Sequence, residues 1–125
     1  MKDSYNILCK HTEEFKRHAE SSMSTIVDVI NWGRDKGLND PKAQLNKVIE
    51  EVGEIAHEVT RNHYDLSAGA VSDELSDAIG DTLVTVLILA DILGEDPMEC
   101  LSAAYEQIKD RSGATKNGTF VKEEK

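Results

Sequence analysis

The chain has 125 residues with 14 Lys+Arg against 24 Asp+Glu, a formal net charge of −10. It is 39% hydrophobic and 30% charged, so it has enough apolar residues for one folded domain over 1–125 and is not a typical disordered acid. Two prolines and 5% aromatics argue against a β-sandwich, and the absence of a basic stripe argues against duplex nucleic acid as a partner.

The acid excess sits in one block. Between positions 62 and 108 there are ten acids and no Lys or Arg, while the rest of the chain carries 14 charges of each sign. No apolar run is long enough to span a bilayer, and the start lacks the apolar core of a signal peptide, so no membrane association and a cytoplasmic location are expected. Cys9 and Cys100 lack metal-ligand spacing and read as two reduced thiols.

The punctuation is that of helices. Asn39-Asp40-Pro41 and Glu95-Asp96-Pro97 each place an Asp at an N-cap and a Pro at the first helical position, and Gly37 and Gly94 suit the ends of the preceding helices. The first predicted helix covers 12–36, with Met23, Ile26, Val27, Ile30 and Trp32 as core candidates; positions 1–10 carry no readable signal. The second covers 41–62, with Leu45, Val48, Ile49, Val52, Ile55 and Val59 as its inward stripe. A loop over 61–71 leads to the third, 72–93, which is apolar nearly all round from Leu83 to Ala90. The fourth covers 97–110, with Met98, Leu101, Ala104, Tyr105 and Ile108 facing inward. The tail, 111–125, either wraps over the surface or adds short extended structure. The expected fold is all-α, a four-helix bundle. A helix that is hydrophobic on all sides is normally buried, and so small a domain offers little room for that. A homo-oligomer, dimer or tetramer, with the third helix near its interface is therefore expected.

Two rows of carboxylates carry the chemistry. Glu50, Glu51 and Glu54, followed by Glu58, lie three and four apart on the second helix, with no Lys or Arg from Val48 to Thr60. Glu74, Asp77 and Asp81 repeat the spacing on the third, and Asp81 enters the apolar run. A carboxylate drawn from water needs a counter-charge, so its partner comes from elsewhere in the fold or is a cation. Packed side by side, two such helices make an oxygen-rich cluster suited to Mg²⁺, which holds substrate phosphates and lowers the pKa of water for phosphoryl chemistry. The plainer alternative for either row is a solvated helix face.

Glu50-Glu51-x-x-Glu54, a gap of some twenty residues, then Gly80-Asp81 before an apolar run, resembles the MazG-like all-α nucleoside triphosphate pyrophosphohydrolases. Gln44 and Lys47 ahead of the Glu-rich motif, the 91–97 turn leading to Cys100-Leu101 and Ala104-Tyr105, and the tail around Arg111-x-Gly113 and Asn117-Gly118 agree. The resemblance spans 32–122. It implies cleavage of an NTP or dNTP to NMP and pyrophosphate, with Mg²⁺ (Mn²⁺ as a possible substitute) held by Glu50, Glu51, Glu54, Asp77 and Asp81, and Glu74 behind them. Glu50 and Glu51 are the catalytic candidates. The second motif departs from the family's Glu-x-x-Asp, because Ala78 stands three residues before Asp81.

Candidate phosphate contacts are Lys47, Lys109, Arg111 and Lys116, the last three from the tail or a neighbouring subunit. Asn31 and Trp32 could meet a base, although Trp32 equally suits core or interface packing. His57 forms Glu54-x-x-His57, which has no second copy to complete a di-iron pattern. The competing reading is a catalytically idle acidic regulatory or interaction module of the same fold. A different pyrophosphohydrolase substrate, such as a phosphoribosylated nucleotide, is the other enzymatic option.

Overall fold

The computed structural model describes residues 2–61 and 72–124. The expected loop at 62–71, with Asp65, lies outside the described residues, as does the Cys9 side chain. In chain order come α1 (Lys2–Asp35), α2 (Pro41–Arg61), α3 (Asp73–Ile92), α4 (Pro97–Ile108), β1 (Gly113–Lys116) and β2 (Thr119–Lys122).

The helix starts follow the local chemistry. The Asp40 carboxylate accepts from Lys42 N at 2.9 Å and Ala43 N at 3.2 Å, and Asp96 accepts from Met98 N at 2.8 Å. Each acid satisfies backbone N–H groups that have no partner within the helix. Ser72 caps α3 by accepting from Leu75 N at 3.2 Å. Gly37 (φ 73°) and Gly94 (φ 74°) take the left-handed backbone that follows α1 and α3.

One expectation is corrected. The first helix begins at Lys2 rather than near position 12. Nothing from Lys2 to His11 is Pro or Gly, so no residue stops propagation toward the N-terminus. The fold is mostly helical, and the tail takes the second of its two expected forms, short extended structure, as an antiparallel hairpin pairing Gly113 with Lys122 and Lys116 with Thr119. Asn117 and Gly118, both at positive φ, form its two-residue turn. The Phe120 ring crosses the strands to lie over Gly113, where any Cβ would run into the ring and into the Val121 carbonyl.

α3 is the hub. It packs along α2, touches the C-terminal part of α1 and meets α4. Among the described residues no other pair of helices is in contact, and the hairpin touches none of them. Among the described residues, then, the helices are joined only through α3.

Leu75, Ala78 and Thr85 of α3 and Gln44 of α2 are buried. Gln44 Nε2 donates to the Thr85 carbonyl at 3.1 Å. That bond joins the start of α2 to the later half of α3, so the two helices run antiparallel. At the other contact, Gly33 of α1 is buried against Ile88; a Cβ there would sit 3.1–3.3 Å from the Ile88 side chain.

The core expectations fare unevenly. Ile26, Ile30, Val48, Ile55 and Met98 are half-buried. Met23, Val27, Trp32, Leu45, Ile49, Val52, Val59, Leu101, Tyr105 and Ile108 are exposed, and so is Ala104. Helical period located apolar stripes correctly, but in one chain several of them face outward. No helix among the described residues is long and apolar enough to cross a membrane.

Candidate functional site

At 100° per residue, the buried and half-buried positions of α2 form one stripe: Gln44, Val48, Glu51, Ile55 and Glu58. On α3 the equivalent stripe is Leu75, Ala78, Thr82 and Thr85. Lys47 and Glu54 lie about 60–80° to one side of the α2 stripe, and Glu74, Asp77 and Asp81 about 60–120° to the same rotational side of the α3 stripe. Because both helices are right-handed and they run antiparallel, flanks of like sense emerge on the same side of the pair. Counting along the pair from Gln44–Thr85, Glu51 comes level with Ala78 and Val48 level with Asp81. The two acid rows thus border one flank at one height.

Glu51 is the most enclosed of them, its side chain 14% exposed. Glu50, Glu54, Glu74, Asp77 and Asp81 are exposed. Asp81 is therefore not drawn out of water as its apolar sequence context suggested. Gly80 beside it adds no side chain, and the apolar residues that follow turn to other faces. Ala78 is buried in the seam against α2. A carboxylate at that position would lose its solvation, which explains why the acids of α3 stand beside it.

The Glu50–Glu54 row does have a counter-charge, one residue outside the interval that lacks Lys and Arg. Lys47 Nζ lies 3.1 Å from Glu50 and 3.3 Å from Glu51. Hydrogen bonds to the Glu50 and then the Glu51 carboxylate hold its ammonium above the ordinary lysine range. Lys47 is thus seated among the acids. Lys109 is paired with Glu106 at 2.7 Å. Arg111 borders a cavity of about 850 Å³ between the end of α4 and the hairpin, with Gln107, Ser112 and Lys122. Lys116 is exposed at the hairpin turn. Among the described residues α4 meets only α3 and the hairpin meets no helix, so these contacts do not carry Lys109, Arg111 or Lys116 to the acid flank of their own chain.

Asn31 and Trp32 are both exposed near the end of α1, Trp32 at 51%. As adjacent helical residues they point about 100° apart and share no face. His57 is exposed on α2.

Among the described residues no three Asp, Glu, His or Cys side chains gather as a ready metal cage. The donors on the flank are carboxylate oxygens throughout. Mg²⁺ is commonly held by one or two carboxylates, with water and substrate phosphates completing its shell, so this donor chemistry fits that ion. Glu51 with Glu54, and Asp77 with Asp81, are the pairs that could supply it.

Two positioning contacts were not legible beforehand. One is Gln44 to Thr85, whose only signal is a Gln on the inward stripe. The other is Arg34 to Asp91, where Nε and Nη2 reach the two carboxylate oxygens at 2.9 and 2.6 Å. This pair ties α1 to the end of α3. The hydrogen bonds from Arg34 hold its carboxyl below the usual range. A depressed pKa contributes stability that is present above the unfolded-state value, near 3.8, and is lost as pH falls through the folded value. Asp91→Asn is expected to lower the thermal midpoint at pH 7. The gap from the parent should narrow below about pH 4 and in 1 M salt, read by circular dichroism melts across pH.

Residues 39–112, more than half of the chain, match the MazG nucleotide pyrophosphohydrolase domain. No curated protein and no solved structure matches the chain significantly. The matched stretch contains α2, α3, α4 and both acid rows, and leaves out α1 and the hairpin.

Proposed function

Because the chain belongs to the MazG nucleotide pyrophosphohydrolase family, we propose that it hydrolyses a nucleoside or deoxynucleoside triphosphate to the monophosphate and pyrophosphate in a Mg²⁺-dependent reaction. The observation that carries this reading is the common flank of the two acid rows on one antiparallel helix pair, inside the matched domain.

Mg²⁺, when bound, supplies positive charge against the triphosphate and lowers the pKa of water. Glu51, Glu54, Asp77 and Asp81 would hold it, with Glu74 behind Asp77. Glu50 or Glu51 accepts the proton of the attacking water. Lys47 keeps Glu50 and Glu51 oriented and adds a positive charge near the phosphates. Asn31 and Trp32 remain candidates for the base, and Arg111, Lys109 and Lys116 for the phosphates if a neighbouring chain brings them.

Pyrophosphate release from a panel of NTPs and dNTPs, with Mg²⁺, with Mn²⁺ and with chelator, tests the reading. Release from at least one nucleotide that disappears on chelation is expected. A folded sample that releases none, from these or from phosphoribosylated nucleotides, would overturn it and leave the idle module.

A further inference from the structure

One ammonium already occupies the carboxylates that a metal ion would use. Lys47 Nζ contacts Oε1 of Glu50 and Oε1 of Glu51. The Lys47 side chain is 50% exposed, whereas that of Glu51 is 14% exposed. The lysine therefore reaches in from the open side of α2 to the most enclosed acid of the row. An enclosed carboxylate needs a counter-charge more than an exposed one does. No Lys or Arg lies between Val48 and Thr60 on α2 or anywhere on α3, so the two helices offer Glu51 little else.

The form of the contact suits release. On a helix the stabilising order is Glu before Lys, and here Lys47 precedes both acids. A lysine ammonium is a compact charge on a flexible stem, without the planar fork of an arginine. The Arg34–Asp91 pair, gripped through both carboxylate oxygens, is the fixed counterpart in the same chain. Glu51 offers one oxygen to Lys47, and the half-exposed lysine has room to swing outward.

We propose that Lys47 is an exchangeable counter-ion: it neutralises Glu50 and Glu51 in the absence of a divalent ion and gives them up when one binds. The inference rests on the reading that this acid row holds Mg²⁺. An ammonium and a divalent cation on one carboxylate oxygen repel each other, so Glu51 keeps one or the other. The contact orients the two carboxylates beforehand, but its net effect on the metal is competition. The freed ammonium then lies beside the metal-bound phosphates, where its charge is wanted.

Competition and simple orientation predict opposite signs. If Lys47 only oriented the acids, its removal would weaken metal binding. As a competitor, its removal tightens it. The test is Mn²⁺ uptake by the full chain without nucleotide, read from the electron paramagnetic resonance of the free ion. Lys47→Met should lower the Kd about five- to tenfold. Lys42→Met, which removes the same charge from the first turn of α2, should leave the Kd within about twofold. Lys47→Arg, with its firmer grip on carboxylates, should bind no tighter than the parent.

The displacement itself is read by carbon NMR. The Lys47 Cε resonance, assigned by its absence from Lys47→Met, should move as Mg²⁺ is added. A Lys47→Met chain that binds Mn²⁺ no tighter than the parent would overturn the proposal. So would equal tightening in Lys42→Met, tighter binding by Lys47→Arg, a Lys47 resonance unmoved at saturating Mg²⁺, or a parent that takes up no Mn²⁺. No turnover enters these measurements. A chain that gives the expected binding pattern yet releases no pyrophosphate would sink the catalytic reading and leave the exchange standing.

Discussion

Glu54→Ala and Asp81→Ala are each expected to lower kcat/KM for pyrophosphate release by about a thousandfold or more, roughly 4 kcal/mol of transition-state stabilisation. Both side chains are exposed, one on each helix of the pair, so neither change opens a cavity. Helical circular dichroism and thermal midpoint should stay near those of the parent while activity is lost. That separation is the informative part. A variant that loses activity by unfolding says nothing of the site, whereas a folded variant with parental activity removes that residue from it. Lys47→Ala should act differently, because it frees Glu50 and Glu51 from their bound ammonium without removing a carboxylate. A shift in the Mg²⁺ concentration for half-maximal activity is the expected readout.

Gln44→Ala should have the largest effect on stability, about 2–3 kcal/mol by chemical denaturation. It removes a buried side chain and its hydrogen bond to the Thr85 carbonyl across the α2–α3 seam. Gln44→Glu should cost more than Gln44→Ala at neutral pH. Its carboxylate cannot donate to the carbonyl it faces and would be buried with its charge. If the two variants were equally stable, Gln44 would be filling space rather than setting the register. Because that register holds the acid rows level with each other, activity should fall together with stability in both.

The helix ends were legible because capping is local. Asp40-Pro41 and Asp96-Pro97 carry the acceptor and the constrained backbone within two adjacent residues, and Gly37 and Gly94 supply the turns before them. The acid rows were legible for the same reason, since three- and four-residue spacings are properties of one helix. The inward face of α2 was not. Its apolar residues predicted a stripe through Leu45, Val48, Ile49, Val52, Ile55 and Val59; Val48 and Ile55 do turn inward, but they share the seam with Gln44, Glu51 and Glu58, and the other four are exposed. A helix with two usable faces does not say which of them its own chain covers. The polar members of the true stripe become intelligible only once Thr85, 41 residues away, is seen to accept from Gln44. α4 repeats the point, with Leu101, Tyr105 and Ile108 at helical period and all of them exposed.

What this sequence determined by itself was where helices begin, which residues line up along each one, and that two carboxylate rows lie on consecutive helices of a MazG-type chain. The tertiary structure decided which side of the helix pair those rows face. Antiparallel pairing sends both to one side of the α2–α3 pair and the uncovered apolar residues to the other. The Arg34–Asp91 clamp, across 57 residues, sets where α1 crosses α3. Such contacts join residues far apart along the chain. Their partners are chosen by shape and by the satisfaction of buried polar groups, and neither is written in the spacing of any one helix.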